Sequence, residues 1–189
     1  MLSCGGRAVD DDRLEAVRDA WNRWGCFVSL GAAALLLFGG VWRVRRDHAP
    51  RVGADVRAVA FRDAQGGRHT LAEFAGRPVV VDVWATWCPP CRASLPELAK
   101  LQAESGDRYA VVPLSVDDTG FQAVGPFLAR QGLTLTAFVP EGPEALEPFG
   151  PVSVIPTTIL VDGNGKLLTR WSGHAPGRVA AELRKLQGR

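Results

Sequence analysis

Residues 79–85, Val-Val-Val-Asp-Val-Trp-Ala, form an apolar run dense in β-branched side chains, followed after Thr86 by Trp87-Cys88-Pro89-Pro90-Cys91. A run of this length and composition predicts a strand buried on both faces, and 92–104 predicts a helix. The two thiols therefore fall where a strand ends and a helix begins. Backbone N–H groups at a helix start lack partners and carry partial positive charge. A Cys88 thiolate gains from that position, so its pKa is expected below the free value of roughly 8.5. Cys91, one turn further along, is placed to attack a mixed disulfide formed at Cys88. The spacing predicts a pair that cycles between dithiol and disulfide.

Two structural readings of the motif are weaker. A structural zinc site needs about four ligands, but Cys4 and Cys26 lie far upstream and His48, His69 and His174 are scattered. A purely structural disulfide closing so short a loop removes little chain entropy. The strand–Cys-x-x-Cys–helix context favours redox chemistry, with no metal or other cofactor expected.

The stretch Val83-Trp84-Ala85-Thr86-Trp87-Cys88-Pro89-Pro90-Cys91-Arg92, then Leu95-Pro96-Glu97-Leu98, resembles the thioredoxin-like family, specifically its membrane-anchored TlpA/ResA group of bacterial thiol–disulfide oxidoreductases. A second stretch carries the same resemblance: Val152 to Asp162, with Ile155-Pro156-Thr157 inside it, followed by Gly165-Lys166. Two motifs in the right order are more specific than either alone. The resemblance implies a thioredoxin-like α/β sandwich, a central mixed sheet flanked by helices, from about Val52 to the C-terminus.

Upstream, residues 25–41 are uncharged and mostly apolar, long enough as a helix to span about 26 Å against a hydrocarbon core of roughly 30 Å. Trp21 and Trp24 on one side and Trp42 on the other suit membrane interfaces, and Arg43, Arg45 and Arg46 close the run. The expected organisation is an N-terminal segment (1–24) with an amphipathic helix carrying Leu14, Val17, Trp21 and Trp24, a single transmembrane helix (25–42), a tether (43–55) and the thioredoxin-like domain (56–189). Arginines flank the span on both sides, so their count does not orient it. The resemblance implies a bacterial inner-membrane protein with its catalytic domain on the periplasmic, extracytoplasmic side. Cys4 and Cys26 are read as bystanders. A net charge of +2 gives no reason to propose nucleic acid.

Within the domain, the pattern predicts a strand over 56–62, a short helix opened by Thr70-Leu71-Ala72-Glu73, which has capping-box spacing, and the central strand over 79–85. The thiol-bearing helix follows over 88–104, then strands over 109–116 and 135–139 on either side of a helix opened at 119–122. A Pro/Gly-broken segment covers 141–151. A hairpin turns at Asp162-Gly163-Asn164-Gly165, and Pro176 begins the last helix, with Val179, Leu183 and Leu186 inward.

Cys88 is the expected nucleophile and Cys91 the resolving thiol. Pro89 and Pro90 lack N–H donors and stiffen the turn, so they are candidates for redox tuning. Asp82, inside the apolar run, is costly to bury ionised and is expected to titrate late or hold a partner; the alternative is a carboxylate solvated at a strand end. It stands six residues before Cys88, where thioredoxin is similar in having a buried aspartate that handles the second thiol's proton. Many TlpA/ResA proteins have a glutamate three residues after the second cysteine, where this chain has Ser94, and that shifts weight to Asp82. By resemblance Pro156 is the cis-proline facing the disulfide, and Trp87 and Ile155 border the thiols as a substrate-binding surface. Trp84 is read as core.

The resemblance implies a membrane-tethered enzyme that reduces protein disulfides outside the cytoplasm and draws electrons from a membrane donor. It also brings in cytochrome c maturation and copper-site cysteines as client classes. The cytochrome-maturation subgroup usually carries Gly-x-Pro-Glu at the cis-proline, where this chain has Val154-Ile155-Pro156-Thr157. Two alternatives stay open: a disulfide-forming oxidase, and a Cu(I) metallochaperone using the same cysteines. Peroxidatic chemistry is weaker, because Ala85 stands where peroxiredoxins have a threonine.

Overall fold

The computed structural model describes residues 52–187. In chain order these form β1 (Ala60–Arg62), β2 (Arg68–Thr70), a 3-10 turn (Leu71–Phe74), β3 (Val79–Trp84), α1 (Pro89–Glu104), β4 (Ala110–Ser115) and α2 (Phe121–Gln131). Then come β5 (Val139–Pro140), a second 3-10 segment (Pro143–Phe149), β6 (Thr157–Val161), β7 (Leu167–Ser172) and α3 (Arg178–Gln187).

Alternation along β3 organises both layers. All of its residues are buried. Val79, Val81 and Val83 join one apolar cluster, while Val80 and Trp84 join the other, as the two-residue period of a strand requires. A strand covered on both faces belongs inside a sheet. β3 pairs parallel with β4 and antiparallel with β6, and β6 pairs antiparallel with β7, in the order β4-β3-β6-β7. Asp82 lies opposite Thr158 in this ladder, on the same face as Val80 and Trp84.

The two faces are covered differently. Cys91, Leu95, Leu98 and Leu101 of α1, Val124, Phe127 and Leu128 of α2, and Val179 and Leu183 of α3 all belong to the Val80/Trp84 cluster. The opposite cluster is built from Val56, Val59, Phe61, Leu71, Phe149 and Leu167 around Val81 and Val83. The mixed sheet with helices against it is present, with the helices unevenly shared between its faces. The buried faces of the described helices share one side, and the other is roofed by a small antiparallel sheet, β2-β1-β5, with the 3-10 segments.

Three local expectations also change. The strand expected over 56–62 shrinks to β1, because Val59 N turns back to Val56 O (3.1 Å) and breaks the extended run. The strand expected over 135–139 is displaced to β5, whose partner is β1, with only Phe138 bridging in parallel to Leu114. The end of the presumed tether is folded: Gly53 N donates to Leu167 O (2.7 Å), Leu167 N to Ala54 O (2.9 Å), and Asp55 bridges to Lys166. The hairpin turns where expected, with Asp162 N donating to Lys166 O (2.9 Å) and Gly165 at φ +75°. The N-terminal helix, the span over 25–42 and most of the tether lie outside the described residues. Among the described residues no helix is long and apolar enough to cross a membrane.

Candidate active site

Cys88 is the N-cap of α1, and Pro89 and Pro90 occupy the first helical positions. Proline is at home there, because the N–H it lacks would have had no partner in the first turn. Cys91 N donates to Cys88 Sγ at 3.2 Å, so one of the helix's free N–H groups points at this sulfur. Cys88 and Cys91 are joined by a disulfide with S–S 2.08 Å and Cα–Cα 5.2 Å. Cys91 is fully buried, whereas Cys88 keeps 3% of its surface exposed. The geometry makes Cys88 the sulfur a client meets first, and an N-terminal helix field stabilises negative charge on it.

The second motif arrives from across the sheet. The Ile155–Pro156 peptide is cis, and the Ile155 carbonyl oxygen lies 3.7 Å from Cys88 Sγ. Pro156 is buried and Ile155 half-buried. Trp87, next to Cys88 in the chain, is 66% exposed, and Val154, next to Ile155, is 57% exposed. Trp84 is fully buried and packs on Phe127 (ring centroids 6.0 Å), a core position as expected.

Asp82 is 2% exposed. Thr158 Oγ1 donates to its Oδ1 (2.8 Å), while Oδ2 is buried without a partner. Burial pushes its carboxyl up to about 7, with the Thr158 hydrogen bond pulling weakly the other way. Asp82 is thus an enclosed carboxyl rather than one solvated at a strand end. Ser94 does not supply a second acid; its hydroxyl donates to Cys91 O (2.8 Å) within α1.

Two positioning groups escaped the sequence reading. Asp117, just past β4, is 7% exposed. It accepts from Thr86 N (2.9 Å), Thr86 Oγ1 (2.6 Å) and Ser115 Oγ (2.7 Å). Its carboxylate therefore holds the loop two residues before Cys88. Arg170 on β7 donates to Phe149 O (2.8 Å) and to Pro151 O, fastening the chain that leads into the cis-proline loop. The only sequence signal for the first was an acid directly after an apolar strand, Val116-Asp117-Asp118.

A mixed sheet, a redox-active Cys-Pro-Pro-Cys at a helix start and a cis-proline facing it define a thioredoxin-like thiol–disulfide oxidoreductase. The chain belongs to the Redoxin family, whose model matches residues 51–184. It is 26% identical over 145 residues to the thiol-disulfide oxidoreductase ResA of Bacillus thuringiensis subsp. konkukian, covering 76% of this chain and 82% of that protein. To ResA of Geobacillus thermodenitrificans it is 30% identical over 122 residues, covering 63% and 68%. Among solved structures it is similar to a protein from Chlorobium tepidum assigned as the thiol:disulfide interchange protein DsbE, with TM-score 0.63, 27% identity and coverage of 74% and 98%. The exposed lipoprotein thioredoxin of Streptococcus pneumoniae gives TM-score 0.57 at 26% identity, covering 67% and 97%.

Proposed function

We propose that this oxidoreductase is a membrane-tethered reductant of protein disulfides, acting outside the cytoplasm through Cys88 and Cys91. The observation that carries the reading is the Cys88 sulfur at the start of α1, accepting from Cys91 N and facing the Ile155 carbonyl. In the reduced enzyme the Cys88 thiolate attacks one sulfur of a client disulfide. A Cys88–client disulfide forms, and the other client sulfur leaves as a thiolate that takes a proton from solvent. Cys91 then gives its proton to Asp82 and attacks Cys88 Sγ. The second client thiolate leaves, and the enzyme is left as the disulfide described above. Two electrons pass to the client, and a membrane-held dithiol donor restores the enzyme.

The client backbone is accommodated beside Ile155 and Pro156, where an extended strand can add β-like contacts, with Trp87 and Ile155 supplying apolar area. The tether reading rests on the apolar run over 25–41 with its flanking tryptophans and arginines. The direction of electron flow rests on resemblance to the ResA group.

Cys91→Ser tests the scheme, because serine removes the resolving sulfur and leaves Cys88 able to attack. Non-reducing gels of membranes carrying this variant are expected to show protein adducts that vanish with reductant and require Cys88. If correctly inserted protein forms no Cys88-dependent adduct, the reductase reading fails and Cu(I) carriage by the two thiolates becomes the better account.

A further inference from the structure

The buried carboxyl has a way out. Asp82, Ser94, Glu97, Pro156, Thr158 and His174 line a cleft of about 20 Å³, together with Trp171 and Val179. That is room for roughly one water molecule. The cleft runs from Asp82, which is almost wholly enclosed, to half-buried Glu97 and exposed His174. Asp82 Oδ2 has no protein partner, although buried carboxyl oxygens are ordinarily satisfied by protein or water. Glu97 is fixed at the outer wall, because Gly177 N, just before α3, donates to its Oε1 (3.0 Å) and Oε2 (3.3 Å).

We propose that Glu97 is the outer carboxylate of a proton route, exchanging the proton of Asp82 with solvent through a water held in this cleft. The proposal rests on the reading of Asp82 as acceptor of the Cys91 proton. Cys91–SH gives its proton to the Asp82 carboxylate as its sulfur bonds to Cys88. Asp82–COOH passes a proton to the cleft water while that water passes one to Glu97, and Glu97 releases it to solvent. No electron moves in these steps, and the carboxylates return to their starting state.

The groups around Asp82 leave few competitors. β6 offers the Thr158 hydroxyl, β4 offers only Pro113 in the ladder, and α1 offers Ser94 and Glu97. β7 offers Trp171, whose ring is covered by Arg178 of α3 at 4.4 Å. The loop before α3 offers His174. Ser94 already spends its hydroxyl hydrogen on Cys91 O. Glu97 is thus the carboxylate on the wall of the cleft, in a chain that has serine at position 94. The upward push on Asp82 by burial is consistent with a group that gains and loses its proton near neutral pH.

The test uses the full-length, reduced chain with Cys4→Ser and Cys26→Ser, in detergent, and an aromatic disulfide probe, dithiobis(nitrobenzoate), which releases one coloured thiolate when Cys88 attacks and a second when Cys91 resolves. Glu97→Gln keeps an oxygen for Gly177 N but cannot carry a proton. It is expected to slow the second release about tenfold at pH 7, a part of what direct acid–base help is worth, and to leave the first unchanged. Added acetate should restore the rate, which a merely structural role would not allow. In an Asp82→Asn background, Glu97→Gln should have no further effect. Normal release by Glu97→Gln alongside slow Asp82→Asn overturns the proposal and leaves the Asp82 reading standing. Slow Glu97→Ala with normal Glu97→Gln makes Glu97 only a tie to α3, and slow His174→Gln with normal Glu97→Gln moves the exit to the imidazole; either overturns it. Asp82→Asn as fast as the wild type removes the Asp82 reading itself and the route with it.

Discussion

Cys88 and Cys91 differ in what the helix offers them, and the difference is measurable. Cys88 is the N-cap with an N–H aimed at its sulfur, whereas Cys91 is fully buried one turn inside. Limited alkylation of the reduced protein near neutral pH, followed by mass mapping, is expected to label Cys88 first. Preferential labelling of Cys91 would reverse the assigned roles. Asp82 makes a second prediction at this scale. Its carboxyl is held up to about 7 by burial, above an unfolded value near 3.9. Below the unfolded value both states are protonated and the buried acid costs no ionisation. As pH rises toward 7 the unfolded chain ionises first, so stability falls and then levels off. Asp82→Asn escapes that loss. It should be more stable than the wild type at pH 8 by up to a few kcal/mol and closer to it at pH 4, seen in denaturant melts at the two pH values. The same variant should slow disulfide exchange by as much as about a hundredfold. Equal melts at both pH values and an unchanged rate would make Asp82 a passive core residue.

At the scale of elements, the site is assembled where α1, the end of β4 and the loop before β6 converge. Asp117 joins two of them by accepting from Thr86 on one side and Ser115 on the other. Asp117→Asn places an amide N–H₂ against donors on at least one side. About 2 kcal/mol of stability is expected to go, the scale of hydrogen bonds to a charged group. The loop before Cys88 should loosen, so the first step with a disulfide probe should slow several-fold. Stopped-flow rates and denaturant melts check both, and a variant matching the wild type in each would show that Thr86 is held by other means. This clamp shows where sequence reading stopped. The β-branched run, the Cys-x-x-Cys and the Asp-Gly-Asn-Gly turn each carry a local signal, and β3, α1 and the β6–β7 hairpin were legible from them. The partners of Asp117 and Arg170 are brought in by strand order and loop path, which no local pattern contains. The bounds of β1 and β5 were missed for a related reason: they are three and two residues long, and their extent is set by pairing in the order β2-β1-β5 across the roof of the sheet.

For the whole molecule, one face of the mixed sheet carries the helices and the chemistry, and the other carries a small sheet that completes the core. Asp82 sits on the chemical face because its neighbours in β3 alternate, and a shift of one residue would turn it toward Phe61, Phe149 and Ile159 instead. The face of the carboxylate was implicit in the apolar run, but its neighbours Thr158 and Glu97 were not, since they come from another strand and a helix. In the proposed function the Cys88/Cys91 pair gives electrons to protein disulfides. The most direct test is the reduction potential of this couple in the full-length chain, equilibrated against glutathione or dithiothreitol buffers and read by the fraction of free thiol. A two-electron couple near −270 mV, in the range of thioredoxin, is the expected result. A value near −120 mV, in the range of strong disulfide-forming oxidants, would contradict it.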